Sequence, residues 1–209
     1  MTLARLAAAS VAAVLLAACQ SAAPIRFYTL LPPAAVTPPP AQDPAFRIAV
    51  GPVGIPAQVD TPKIVVREGN GRLIPVDGQR WIAPLADETR NALRAALTQR
   101  LGVPDSSDLG DAGSALPLYR VRVNLQRFES TLGRSARIDA TWTIASARDA
   151  ARSATCDSRA EVAVGPGFEA LAEGHQRALI RLADQIAAGL ETLAAGKPAL
   201  VCAAADPAR

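Results

Sequence analysis

Histidine is nearly absent from this chain of 209 residues, which contains one, His175, together with one methionine, three cysteines and 4% aromatic residues. A lone histidine on the apolar stripe of a long helix is read first as a partly buried or rim side chain. A Ser-His-Asp hydrolase would also want its serine on a tight strand-to-helix turn, and no Gly-x-Ser-x-Gly occurs. Neither a Cys/His cluster at metal-ligand spacing nor a glycine-rich strand-to-helix loop is present, so nothing indicates a metal centre or a phosphate cradle. Asp87 and Glu88 are neighbours on a helix and diverge by about 100°, which makes them favourable first-turn charges rather than an acid/base pair. The 22 basic and 19 acidic residues are interspersed, whereas nucleic-acid binding relies on clustered Lys and Arg, so no nucleic-acid partner is expected. No catalysis is expected either. A spanning helix needs about 20 apolar residues, and the first apolar segment stops short of that.

What is present begins with Arg5, an apolar run from Leu6 to Leu16 in which Ser10 is the one hydroxyl, and then Leu16-Ala17-Ala18-Cys19. A positive start, an apolar segment of this length and small residues before a cut are the parts of a secretory signal. The Leu-Ala-Ala-Cys box resembles a bacterial lipobox, in which the cysteine thiol receives a diacylglycerol, the chain is cut before it and the new amine is acylated, as with palmitate. Residues 1–18 are therefore expected to be a signal peptide and Cys19 the lipidation site. No cofactor is expected beyond that covalent diacylglycerol and N-acyl chain. Two or three acyl chains, at about 0.8 kcal/mol per buried methylene, far exceed the marginal hold of one. Residue Gln20 is not the aspartate associated with inner-membrane retention, so the expected location is the periplasmic face of the outer membrane.

With Cys19 taken by lipid, Cys156 and Cys202 remain, in a compartment where disulfides persist. They are expected to pair, closing a loop of about 45 residues; two free thiols are the alternative. Residues 19–45 read as an anchored, proline-rich tether, 46–203 as one folded domain and 204–209 as a tail. Within the tether, Ile25-Arg26-Phe27-Tyr28-Thr29-Leu30 favours strand. If it pairs with the sheet, the true tether is only Gln20 to Pro24.

The domain opens with a strand in which Phe46, Ile48 and Val50 share a face. A hairpin follows, Lys63–Arg67 and Arg72–Val76 around Asn70-Gly71; Pro62 and Pro75 place it at an edge or projecting from the domain. Leu85, Thr89, Ala92, Leu93, Ala96 and Leu97 recur at helical spacing between Pro84 and Gly102. The loop from Pro104 to Ser114 receives no ordered element. Three strands then alternate cleanly: Tyr119 to Leu125, Ile138 to Ile144, and Cys156 to Val164. A last helix from about Gly167 to Leu193 carries Phe168, Leu171, Ala172, His175, Leu179, Leu182, Ile186, Leu190 and Leu193 on one stripe. Trp142 belongs in the core, while Trp81 fits either a staple at the helix entry or an exposed contact. The order predicts an α+β fold, a mixed but largely antiparallel sheet packed with two main helices, its first strand parallel to the one after the first helix through a right-handed crossover.

The lipobox at Cys19, Phe27-Tyr28-Thr29-Leu30, Ile48 to Pro56, Asp60 to Arg67, Arg80 to Leu85, Arg127-Phe128-Glu129 and Ile138 to Trp142, in this order and spacing, resemble the ABC-type transport auxiliary lipoproteins, the PqiC-like family. The resemblance implies an outer-membrane lipoprotein that works with an MCE-domain protein and inner-membrane permease components in moving phospholipids or other hydrophobic molecules between membranes. It also allows a homo-oligomer. A lipoprotein activator or scaffold of a cell-wall enzyme is the alternative; a strand about six residues after Cys19 argues for a membrane-proximal domain rather than a far-reaching activator.

Overall fold

The computed structural model describes residues 24–33, 44–69, 71–107, 114–149, 151–197 and 202. Cys19, the signal segment, the tip residue Asn70 and most of the 104–114 loop lie outside the described residues. The elements are β1 (Arg26–Tyr28), β2 (Arg47–Gly54), β3 (Lys63–Glu68), β4 (Arg72–Trp81), α1 (Leu85–Leu101), β5 (Leu118–Thr131), β6 (Ser135–Ser146), β7 (Ser153–Ala163) and α2 (Phe168–Ala194), with a single 3-10 turn at Ala57–Val59. The fold is α+β, and its strands divide into two sheets. Four strands run in the order β2-β5-β6-β7 and three in the order β1-β4-β3.

In the larger sheet β2 is parallel to β5, because the β3–β4 hairpin and α1 intervene between them and return the chain to the same end. The β5–β6–β7 meander is antiparallel, and Gly133, at φ 65°, makes the β5–β6 turn possible. Alternation gives this sheet one dry and one wet face. Ile48, Val50, Val121, Val123, Leu125, Ile138, Ala140, Trp142, Ile144, Ala160 and Val162 are buried. Both helices cover that dry face: α1 packs against β2, α2 against β6 and β7, and the helices touch each other. Trp142 lies in this core, its indole N–H donating to Ser158 Oγ at 2.8 Å.

The apolar stripe of α2 comes close to the sheet at Gly174. A Cβ there would stand 2.2 Å from Val164 Cγ1 and 3.1 Å from Ala136 Cβ. Helix α1 ends at Gly102, in the left-handed conformation with φ 63°, its N–H bonded to the Thr98 carbonyl.

The register of β5 slips between Leu125 and Arg127. Tyr119, Val121, Val123 and Leu125 are buried before this bulge, and Phe128 and Ser130 after it. One extra residue thus reverses which parity faces the core.

The smaller sheet takes in the N-terminal segment. Strand β1 pairs in parallel with the end of β4, Arg26 opposite Gln79, Phe27 opposite Arg80 and Tyr28 opposite Trp81. Since β1 pairs only with Gln79–Trp81, no described strand lies beside Pro75 on that side, which reconciles a proline with a strand that is central elsewhere. Three further contacts hold the segment down. Tyr28 Oη donates to Gln79 Oε1 at 2.7 Å. The Leu30 N–H and the Thr29 hydroxyl both donate to Glu88 Oε2 at 2.7 Å. Gln176 Nε2 donates to the carbonyls of Thr29 (3.0 Å) and Leu31 (3.3 Å). The carboxylate of Glu88, read from the sequence as a first-turn charge on the outer face of α1, is buried instead. It satisfies two donors of the incoming chain.

Candidate contact surfaces

Cys156 lies on β7 with its side chain buried beneath the sheet, opposite Trp142. Its sulfur is joined in a disulfide to Cys202, 46 residues on, with the two Cα atoms 5.5 Å apart. The bond ties the segment beyond α2 to the far strand of the sheet.

His175 is fully buried. The ring stacks on Phe128 (centroids 4.0 Å apart, planes 9° from parallel), and Trp81 meets both rings edge-on. Its Nε2 is 2.8 Å from Ser130 Oγ. Burial pushes its pKa down from 6.5 to about 3, so the imidazole is neutral at any ordinary pH. Sequence reasoning missed the Ser130 partnership, because the β5 bulge is what turns Ser130 inward; the consecutive polar pair Gln126-Arg127 in an otherwise alternating strand is its one visible trace. A serine beside a histidine has the outline of a nucleophile and its base, but the rest of the arrangement does not support that chemistry. Ser130 is 2% exposed, Nδ1 has no hydrogen-bond partner to orient the ring, and an imidazole with so low a pKa is a weak base. Trp81 is settled by the same cluster as a buried packing residue. Asp87 is exposed and Glu88 is occupied by the β1 segment, so the two do not form a pair. Among the described residues no group of His, Cys, Asp and Glu could hold a metal ion, and no helix is long and apolar enough to cross a membrane.

What remains are surfaces. The wet face of the larger sheet carries a lattice of ion pairs centred on Asp139, whose carboxylate is within 3.1 Å of Arg127, 2.8 Å of Arg137 and 3.4 Å of Arg159. Burial alone would raise the Asp139 pKa; the hydrogen bond from Arg137 and the charges of Arg137, Arg159 and Arg127 outweigh it and hold the group below its ordinary value. Glu129 binds Arg127 at 3.0 Å and reaches across to Arg67 of β3 at 2.7 Å. That pair links the two sheets at the rim of a cleft of about 150 Å³ lined by Val59, Val65, Phe128 and Ser130.

The smaller sheet presents a different surface. Ile25, Phe27 and Ile82 are 48%, 56% and 59% exposed. Phe27 is paired with Arg80, and Ile82 follows directly on the end of β4 at Trp81, its N–H bonded to the Tyr28 carbonyl at 2.8 Å. Three large exposed apolar side chains thus cluster around the pairing of β1 with the end of β4.

The architecture recurs in solved structures. An uncharacterised protein matches with a TM-score of 0.63 and 16% identity, over 80% of this chain and 99% of its own. A Xanthomonas campestris protein of family DUF330 matches with a TM-score of 0.58 and 22% identity, over 82% of this chain and 96% of its own. At such identities the likeness is one of fold. No curated protein matches the sequence. The family model of the ABC-type transport auxiliary lipoprotein component matches residues 28–187, a span from β1 into α2 that includes the Glu88 clasp, the β5 bulge and the His175 cluster. The chain belongs to the ABC-type transport auxiliary lipoprotein component family.

Proposed function

We propose that this chain is a lipid-anchored docking component of an MCE-type intermembrane lipid transport system, without catalytic activity. Acylated at Cys19, it is held on the periplasmic face of the outer membrane and receives the end of an MCE-domain protein whose other end meets inner-membrane permease components. The family membership supports a role beside a transporter, and the Leu16-Ala17-Ala18-Cys19 box supports the anchor.

The observation that carries the docking role is the placement of β1. The first described strand begins at Arg26, hydrogen-bonded into β4, only seven positions after Cys19. At no more than about 3.3–3.6 Å per residue, the chain between them spans at most roughly 25 Å. An anchored domain on so short a lead sits at the membrane surface and offers its remaining faces to a partner arriving from the periplasm. An enzyme activator working across the periplasmic gap would need a longer lead.

The test is purification of the full-length lipoprotein from detergent-solubilised membranes after crosslinking, with mass spectrometry of what accompanies it. Recovery of an MCE-domain protein crosslinked to one face of the domain supports the proposal. Recovery of a cell-wall synthase instead overturns it in favour of the activator. In parallel, Cys19→Ala is expected to move the protein from the membrane to the soluble periplasmic fraction and to impair the envelope permeability barrier; a variant that stays membrane-bound removes the anchor.

A further inference from the structure

We propose that the outward face of the smaller sheet, formed by Ile25, Phe27 and Ile82, rests on the phospholipid surface of the membrane that holds the anchor. The inference rests on lipidation at Cys19 and adds an orientation to it. Three observations lead to it.

The first is exposure. Ile25, Phe27 and Ile82 leave about half or more of their surface in water, while the core residues on the other side of the same strands, such as Trp81, are almost wholly covered. Adjacent exposed apolar side chains on one face mark a contact with something apolar.

The second is reach. Pro24 lies five positions after Cys19, so the two lie within roughly 18 Å of each other whatever path the chain takes. The polar headgroup layer of a bilayer is itself about 5–7 Å deep on each side. Pro24 sits against the patch, its carbonyl oxygen 3.6 Å from where a Cβ of Gly78 would be; Ile25 follows at once and Phe27 two residues later. Of all the surfaces of the molecule, this one cannot move far from the bilayer.

The third is charge. Arg80 stands opposite Phe27 and Lys63 opposite Arg80; Arg26, next to Phe27 in β1, alternates to the other side of the strand. Among the described residues Arg26 has no acidic partner, while the charge of Arg80 acts on Asp77 and its buried Nε is without a hydrogen bond. Asp77, bonded to Lys63 at 2.6 Å, is the one acid facing this group. Apolar side chains beside more cations than acids match an interface whose outer layer is phosphate and whose inner layer is acyl chain. A protein partner docked by the ion-pair lattice of the larger sheet would be on another face altogether.

The experiment uses the full acylated protein reconstituted into vesicles of phosphatidylethanolamine and phosphatidylglycerol. An environment-sensitive fluorophore is attached in separate samples at Phe27→Cys, at Ile82→Cys and, as control, at Ala163→Cys on the wet face of the larger sheet. All three positions are exposed, so the substitutions leave the core intact. Flotation of each sample with its vesicles reports the anchor independently. The expected result is a blue shift at positions 27 and 82, quenched by lipids carrying a nitroxide, with water-like emission at 163. Water-like emission at 27 and 82 in protein that floats overturns the docking face and leaves the anchor standing. A blue shift that nitroxide lipids do not quench, and that grows with protein concentration, shows a second copy on this face and also overturns it. Protein that does not float with the vesicles overturns both the anchor and the orientation built on it.

Discussion

At the scale of single residues, His175 carries a measurable pH signature. Its folded pKa is about 3 against 6.5 in the unfolded chain, and burial alone is responsible. As pH falls below 6.5 the unfolded state takes up a proton that the folded state refuses, so stability declines down to about pH 3 and then levels off for this group. Over the middle of that window the slope is about 1.4 kcal/mol per pH unit. Denaturant unfolding between pH 7 and 4.5 should show it, and His175→Phe, which keeps a ring against Phe128, should flatten it; an unchanged slope in the variant would falsify the assignment. Asp139 acts at lower pH and in a different way: its depressed folded pKa gives a contribution present above the ordinary carboxylate range and lost as pH falls through the folded value. Gly174 carries a steric constraint. Gly174→Val puts side-chain atoms where Val164 and Ala136 already stand, and the expected loss is about 1–3 kcal/mol, read as a lower urea midpoint at unchanged slope.

Secondary-structure elements show what patterning can and cannot reveal. The alternation of β6 and β7 is visible residue by residue, since each sees water on one face and helices on the other, and the stripe of α2 is visible for the same reason. The helix α1 is less so: Glu88 looks like a surface charge because nothing local marks it as the acceptor for Thr29 and Leu30, almost sixty positions earlier in the chain. The strand character of Ile25–Leu30 is legible, but its partner is not, as β4 sits in a second sheet that the order of elements does not announce. The bulge of β5 falls between these cases, and it decides the Ser130–His175 contact that no motif encodes. A test belongs here. Glu88→Ala leaves the Leu30 amide and the Thr29 hydroxyl without their acceptor, at about 1–3 kcal/mol for a buried donor left unpaired. Amide exchange at Leu30 should accelerate roughly 10- to 100-fold while the centre of β6 stays protected, and Glu88→Gln, which keeps an acceptor oxygen, should recover most of that protection.

For the molecule as a whole, the disulfide and the ion-pair lattice act on different states. The Cys156–Cys202 bond closes a loop of 46 residues' separation, which in the chain-entropy account restricts the unfolded chain by up to roughly 4 kcal/mol. Cys202→Ser should therefore lower the melting temperature while leaving the circular dichroism spectrum at room temperature unchanged; reduction of the native protein should reproduce the shift. The lattice around Asp139 is partly exposed on the wet face, so salt and water screen it and it adds little to stability at physiological salt. Its consequence is specificity, because any surface laid on that face must meet a fixed pattern of guanidinium groups around two carboxylates.

The parallel pairing of β1 with β4 has a mechanical consequence. A pull applied at Pro24 along the axis of β1 strains the backbone bonds between β1 and β4 together in shear, where an antiparallel flap peeled from its end would give way one bond at a time. Behind them, the Glu88 carboxylate and the Gln176 amide grip Thr29, Leu30 and Leu31 from two different helices. A tug between membrane and partner is thus passed into the body of the domain at three points, and its resistance is set by how fast that clasp opens rather than by the equilibrium stability of the fold.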